Sequence, residues 1–402
     1  MVTVRLGPTS ARWAIHDSAR RATIQSMPES RRAFLRLVGG AVAAASTSAA
    51  DTPPSPQPHE LAGMEAVVSA FMRDHLVPGL SMAVARDGEL LYERGFGFAD
   101  RDKNERVTPA HLFRIASVSK PITSVTLFRL MEDKRLTLDD VVFGSRGILG
   151  HDFGKPPYKQ WVEEIRIKHL LTHTGGGWQN DGTDPMFRRP EMSHKQLISW
   201  AIENVALTHP PGEHFAYSNF GFCILGRVIE KLTGVAYEQH VRDTILKRCG
   251  VTDMRVAGNT LGERAWGEVV YYGAKGQNPY DMNVRRMDSH GGWLATARDL
   301  AMFASHVDGH SASHNILTPE SIREMTTASA ANAGYAKGWA VNRVPNWWHG
   351  GSLPGTTSIM VRTASGFCWA ALANSREASG DTGGAMDRMM WELVHQVKIW
   401  KA

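Results

Sequence analysis

Ser117 and Lys120 stand three residues apart in the run Ser117-Val118-Ser119-Lys120, with Pro121 directly behind them. Residues at i and i+3 share a helix face, so on a helix the hydroxyl and the amine would point into one space. An amine taken out of water is pushed toward its neutral form, because desolvation disfavours the ammonium. A neutral amine beside a hydroxyl can take the hydroxyl proton, which opens serine acyl transfer, and S-x-x-K is a recurrent catalytic motif. Taken alone, the pair describes a solvated helix face at least as well. Its neighbours decide for chemistry. Leu112 to Ala116 is a compact apolar run ahead of it, and Ile122, Val125, Leu127, Leu130 and Met131 follow with helical spacing. Pro121 fits only the first turn of such a helix, whose amides have no intrahelical partner to lose. Ser117 therefore belongs at the amino end of a buried helix, where unpaired N–H groups and the helix dipole favour developing negative charge.

Two further segments carry usable groups. His214-Phe215-Ala216-Tyr217-Ser218-Asn219 offers a phenol that can pass protons and an amide that both donates and accepts. Pro210-Pro211-Gly212 precedes it as a rigid turn, and Phe222 to Leu232 reads as an apolar helix ending near Gly234. Trp348-His349-Gly350-Gly351-Ser352-Leu353-Pro354-Gly355 precedes a strand-like stretch from Thr356 to Thr363. Glycines beside a strand permit a ligand to approach the backbone closely. A half-buried aromatic at a helix start and an ordinary hairpin entry are the plain readings of these two segments.

In this order and with these neighbours, the three segments resemble the penicillin-recognising serine hydrolases, in the branch that holds class C β-lactamases, related DD-peptidases, esterases and D-aminopeptidases. Ile165 to Gly176 and Gly291 to Leu300 look like the same family, so the resemblance runs from about Glu60 to the carboxyl terminus. It implies Ser117 as nucleophile, Lys120 as its proton-transfer partner, and Tyr217 as the acid/base serving the leaving group and the deacylating water. It implies that Asn219 orients the substrate and holds Lys120, that His349 opens the third motif as a member of the catalytic set with Gly350, Gly351 and Ser352 as its substrate-binding part, and that the amides of Ser117 and Ser352 make the oxyanion hole. Whether Lys120 or Tyr217 is the acylation base stays open. The third motif departs from the β-lactamase pattern of Lys-Thr-Gly or Lys-Ser-Gly: His349 is a conditional charge and Gly350 has no hydroxyl. This favours a small ester or amide substrate over lactams. The alternatives are a DD-peptidase or D-aminopeptidase acting on peptidoglycan-type peptides, a weak β-lactamase, or, in another class, a non-catalytic peptidoglycan or lactam sensor.

The amino terminus points to export. Ser30-Arg31-Arg32-Ala33-Phe34-Leu35-Arg36 has the form of a twin-arginine signal, followed by a mildly apolar stretch and Ser48-Ala49-Ala50 before Asp51. Residues 1–50 then read as a signal peptide, with Met27 as a possible true start, for the twin-arginine export machinery and a periplasmic or secreted destination. The apolar stretch is far shorter than the ~20 residues a membrane span needs. Residues 1–50 carry seven Arg and two acidic residues, and the rest of the chain is balanced, so the net charge of +5 marks no nucleic-acid surface. Cys223, Cys249 and Cys368 make an odd count that permits one disulfide, with Cys223 and Cys368 in apolar runs. No H-E-x-x-H or similar set suggests a metal, no cofactor motif is present, and His173 reads as a loop tie.

The elements that must position these groups indicate an α+β fold. Residues 51–59 read as a linker and 60–402 as one hydrolase domain, with a sheet lobe from 60–130 and 291–402 and a helical lobe from 131–290. A helix over Glu60–His75, a hairpin of Leu80–Arg86 and Leu90–Phe98 about Asp87-Gly88, and a capping box at Thr296–Asp299 are expected. Strands are expected over Lys337–Arg343, Thr357–Arg362 and Phe367–Ala373, with a closing helix over Met386–Trp400. One antiparallel sheet flanked by helices, with the helical lobe inserted, is the topology the resemblance implies. Trp178, Trp347 and Trp348 are candidates for walls of the intervening cleft, with aromatic core packing the plainer account of at least one.

Overall fold

The computed structural model describes residues 56–402 apart from 275, 311–313, 378–380 and 401–402. Residues 1–50, over which a signal peptide is expected, and most of the expected linker lie outside the described residues. Helix α1 (Pro58–Asp74) begins two residues before Glu60, so the expected linker is shorter than 51–59. Pro58 suits the first helical position, and Gln57 donates its N–H to the Glu60 carboxylate at 2.7 Å, closing a capping box. Strands β1 (Gly79–Arg86) and β2 (Glu89–Asp100) follow as a hairpin. Asp87 and Gly88 both have positive φ, 53° and 81°, the left-handed pair that a two-residue turn needs to match strand twist. Strand β3 (Glu105–Arg106) ends this group, and the short β4 (Phe113–Arg114) leads into a 3₁₀ turn at Ala116–Val118 and helix α2 (Ser119–Glu132).

The middle of the chain is mainly helical: α3 (Ile167–Leu171), α4 (Pro185–Arg188), α5 (His194–Asn204), α6 (Asn219–Thr233) and α7 (Tyr237–Thr244). Helix α6 ends as expected at Gly234, whose φ of 74° is the left-handed cap that glycine takes without strain. Strands β5 (Arg255–Val256) and β6 (Trp293–Ala295) pair with β4 in a small antiparallel sheet of order β4-β6-β5. Then come α8 (Ala297–Ser305), capped by Thr296 and Asp299 as the sequence indicates, α9 (Pro319–Thr326), β7 (Ala340–Val341), β8 (Trp347–Leu353), β9 (Thr356–Arg362), β10 (Phe367–Ala373) and α10 (Thr382–His395).

The main sheet has the order β3-β2-β1-β10-β9-β8-β7 and is antiparallel throughout. Early and late strands meet at β1 and β10, in a register that opposes Leu80 to Ala373 and Arg86 to Phe367. Alternation divides the two faces. Leu80, Met82, Val84, Trp369 and Ala371 face one apolar cluster with Met64 and Val68 of α1 and Met386 and Met390 of α10. Ala83, Ala85, Ala370 and Leu372 face the other cluster, with α2, α8 and the helical region. The α+β sheet-and-helix architecture expected from the sequence is the one observed.

Three expectations about elements need correction. The strand expected over Lys337–Arg343 shrinks to Ala340–Val341, because Tyr335 to Gly338 is a turn whose amides bond elsewhere. The closing helix starts earlier and ends at His395. The third motif is itself a strand, β8, which its two glycines hide from propensity reasoning. Trp347 and Trp348 are packing residues rather than walls of a cleft. Trp347 lies under the Arg362 guanidinium at 3.7 Å, and Trp348 packs on the face shared with α1 and α10. Trp178 is buried against Phe220. The permitted disulfide is not formed: all three cysteines are free and buried. Among the described residues no helix is long and apolar enough to cross a membrane, and no three His, Cys, Asp or Glu side chains are grouped as metal ligands.

Candidate active site

The chain enters the site through a kink. Ala116 has φ 47°, a left-handed conformation uncommon for a side chain with a Cβ, and it turns the backbone from β4 into the 3₁₀ turn that carries Ser117. From His111 to Phe128 every residue is buried except Ser117, which keeps part of its surface. The kink thus presents one hydroxyl from an otherwise closed core. Ser117 sits in the turn before α2 and Lys120 in its first turn, the i, i+3 relation expected from the sequence.

Lys120 is fully buried. Its Nζ lies 3.2 Å from Ser117 Oγ, 2.8 Å from Asn219 Oδ1 and 3.0 Å from the His290 carbonyl oxygen. Burial lowers its pKa to about 7, opposed by the nearby Asp184 carboxylate, which favours the ammonium. A neutral amine has two N–H groups and one lone pair. Two of its three neighbours, the Asn219 oxygen and the His290 carbonyl, can only accept. They take the two N–H groups, and the lone pair is left for the Ser117 O–H.

Tyr217 comes from the other side, on the extended segment that Ser218 caps onto α6. The Ser218 Oγ accepts from Gly221 N–H at 3.0 Å, and Asn219 is the first helical residue. The Tyr217 phenol is hydrogen-bonded to Ser117, and Lys120 Nζ lies 4.7 Å from its ring centroid. Burial pushes the phenol pKa up, well above the ordinary range, with the Ser117 contact opposing. His214, at the head of the same segment, stays at the surface near His209 and Glu213.

Strand β8 supplies the third side. β7 pairs only with Trp347 and Trp348, so beyond them β8 has no strand neighbour on that edge. Gly351 passes over the nucleophile turn: an added Cβ there would collide with Ile115 O and Ser358 Oγ and stand 3.1 Å from Ala116 Cβ. Ser358 Oγ donates to the Ile115 carbonyl at 2.7 Å, tying β9 to the same turn. Gly350 is different, because only Ser358 O, at 3.9 Å, lies near its missing Cβ.

His349 is committed internally. Its Nδ1 is 2.7 Å from the Gly350 carbonyl oxygen, so Nδ1 carries the proton and Nε2 accepts from the Tyr335 hydroxyl at 3.1 Å. Tyr335 Oη in turn accepts from His173 Nε2 at 3.1 Å, since His173 Nδ1 is occupied as acceptor of the Ser218 amide at 3.1 Å. One directional chain therefore links the Tyr217 segment to β8. Burial lowers the His349 pKa to about 3 and holds His173 well below the usual imidazole range, with Lys120 reinforcing both. Both imidazoles are neutral at pH 7.

The sequence singled out Ser117, Lys120, Tyr217, Asn219, His349, Gly350, Gly351 and Ser352, and the fold brings their segments to one place. It also brings in groups the sequence did not. His173, read as a loop tie, does tie the loop, with φ 56°, and also packs on Tyr217 at a ring distance of 4.2 Å. Tyr335 lies in a turn with no periodic pattern. Asp184 before Pro185 reads only as a helix cap, although it also bonds Asn219. His290 enters through its carbonyl, which no side-chain motif can signal.

The sequence model of the family described as beta-lactamase matches residues 64–388. Penicillin-binding protein 4 of Amycolatopsis lactamdurans is 28% identical over 353 residues, which are 81% of this chain and 88% of that protein. Protein flp of Staphylococcus aureus is 25% identical over 306 residues, 74% of this chain and 59% of that protein, so the chain spans about three fifths of this relative's length. The D-amino acid amidase from Ochrobactrum anthropi SV3 superposes with a TM-score of 0.67 at 22% identity, covering 83% of this chain and 100% of that one. At that identity the shared property is the fold.

Proposed function

The chain belongs to the beta-lactamase family of serine hydrolases, and from that premise we propose that it cleaves small neutral esters or amides through an acyl-enzyme on Ser117. Lys120, neutral near pH 7, takes the Ser117 proton as the hydroxyl oxygen bonds the substrate carbonyl carbon. The amides of Ser117 and Ser352 receive the carbonyl oxygen as it becomes negative. The proton taken up by Lys120 returns through the Tyr217 phenol, which meets Ser117, to the leaving group as the carbonyl–heteroatom bond breaks. Water then attacks the acyl group by the same relay, and its proton restores the Ser117 hydroxyl as the acid leaves. Tyr217 is the poorer acylation base, because removing its proton at pH 7 is harder still than for a free phenol.

One observation carries the preference for neutral substrates. Both ring nitrogens of His349 are spent within the protein, and Gly350 brings no hydroxyl, so the middle of β8 offers neither a cation nor an O–H to a substrate carboxylate. A second reading, as a DD-peptidase or D-aminopeptidase on carboxylate-bearing peptides, has Arg376 in its favour. Its guanidinium lies 3.4 Å from Ser352 Oγ and donates to Gln277 Oε1 at 3.1 Å, at the far end of the same strand. A panel of p-nitrophenyl esters, D-Ala-D-Ala peptides and nitrocefin, run on wild type and Ser117→Ala, separates the two. Ester turnover with feeble nitrocefin turnover supports the first reading. Efficient peptide or nitrocefin turnover without ester activity overturns it.

We also propose export through the twin-arginine machinery to the periplasm or medium, on the strength of Ser30 to Arg36. Replacing Arg31 and Arg32 by Lys should retain the protein in the cytoplasm, and unchanged secretion would refute this.

A further inference from the structure

Asp184 is the buried charged group at the site that the steps above leave unused. It is fully buried at the start of α4, and its carboxylate contacts are three N–H groups: Met186 N at 3.0 Å, Asn219 N at 3.1 Å and Asn219 Nδ2 at 3.2 Å. A carboxylate only accepts, so the edge of the Asn219 amide facing it must be the NH₂. The opposite edge, which faces Lys120 at 2.8 Å, must then be the carbonyl oxygen. With the amide reversed, its oxygen would face a carboxylate and its NH₂ would occupy the lone pair on Lys120.

Resting on the assignment of Ser117 and Lys120 above, we propose that Asp184 is a positioning residue that locks the Asn219 amide so that the Lys120 lone pair stays free for the Ser117 proton. Burial raises the Asp184 pKa to about 7, and the three donors and Lys120 offset part of that rise by favouring the ionised form that accepts their N–H groups. Its charge also reaches Lys120 and favours the ammonium there. The other ionisable groups facing the pair are neutral at pH 7. Tyr217 is held well above the phenol range, Cys223 of α6 is pushed up to about 12, and His173, His290 and His349 lie below the imidazole range, all chiefly through burial. Among the described residues Asp184 is thus the ionisable partner whose negative charge favours the Lys120 ammonium, and the two titrate as a pair near pH 7.

The test is the second-order rate of Ser117 phosphonylation by a fluorophosphonate, followed against pH. In that step the Ser117 oxygen bonds phosphorus, fluoride leaves and the hydroxyl proton passes to Lys120, so no knowledge of the substrate is required. Asp184→Asn should slow labelling about tenfold or more at pH 7, the order expected when a general base is misdirected. It should also move the acidic limb of the profile to lower pH by about half a unit or more, because a negative neighbour of Lys120 is gone. Asp184→Ser keeps a cap oxygen for Met186 and should behave alike, which covers a failure of the Asn variant to fold. In an Asn219→Ala background the same substitutions should add little further loss. Equal losses in both backgrounds with an unmoved acidic limb would make Asp184 merely structural and overturn the proposal. Wild type that takes no label at Ser117 would instead defeat the assignment on which it rests.

Discussion

A buried lysine with an amine pKa near neutrality is what makes Ser117 usable. Desolvation penalises the ammonium, Asp184 offsets part of that penalty, and the two together place the Lys120 transition at about 7. The sign of the pH effect follows: below that value the amine is protonated and has no lone pair for the Ser117 proton. Acylation should therefore rise with pH through about 7, and a kcat/KM profile for an ester from about pH 5 to about pH 9 measures it. A flat profile across that interval would contradict the role given to Lys120. Lys120→Ala should lower kcat/KM by ~10²–10⁴, with the oxyanion amides and binding retained. Most of these residues were legible in the sequence, since Ser117, Lys120, Tyr217 and Asn219 are chemical types at telling spacings. The state of His349 was not, because its partner Tyr335 and that residue's own partner His173 lie 14 and 176 residues from it in the chain and only the fold joins them.

Strand β8 and the 3₁₀ turn before α2 form the element-scale device of the site. Their separation is set by Gly351, whose missing Cβ leaves room for the Ile115–Ala116 backbone. Gly351→Ala should force the strand off the turn, at an overpacking cost of roughly 1–3 kcal/mol and a larger loss of activity than of stability. Gly350→Ala has open space and should keep both, so thermal melts beside ester kinetics on the pair read out the contrast. Equal behaviour of the two variants would show that strand spacing is not set there. This element is also where the sequence was least readable. Its glycines suppress strand propensity, and an edge strand with one partner over most of its length lacks a strong alternating pattern. The hairpin at Asp87-Gly88, the cap at Gly234 and the capping box at Thr296–Asp299 were readable, because turn and cap chemistry is local and needs no partner.

At the scale of the molecule, the helical region must be held against the sheet so that both sides of the site keep their spacing. A buried clamp contributes: Arg227 of α6 donates to Asp288 at 2.6 Å, next to Ser289 and His290, whose carbonyls receive Thr123 at 2.6 Å and Lys120 at 3.0 Å. Burial alone would raise the Asp288 pKa, but Arg227 and His194 outweigh it and hold the carboxyl well below its usual range. Asp288→Asn leaves the buried Arg227 with Glu230, at 2.8 Å, as its remaining carboxylate partner and should cost roughly 1–3 kcal/mol, read as a lower denaturation midpoint. The pH sign is that of a depressed carboxylate: its stabilisation is present above the unfolded-state pKa and is lost as pH falls through the folded one. The acid-side slope of stability should therefore flatten in the variant. An unchanged midpoint would remove the clamp from the account.

The central claim is that one hydroxyl, exposed by the Ala116 kink, is acylated with Lys120 as its base. Intact-mass measurement after treatment with a fluorophosphonate, followed by peptide mapping, tests it directly. Wild type should gain a single adduct located on Ser117, and Ser117→Ala should gain none while keeping its thermal melt. An adduct on another residue, or equal labelling of the alanine variant, would contradict the account.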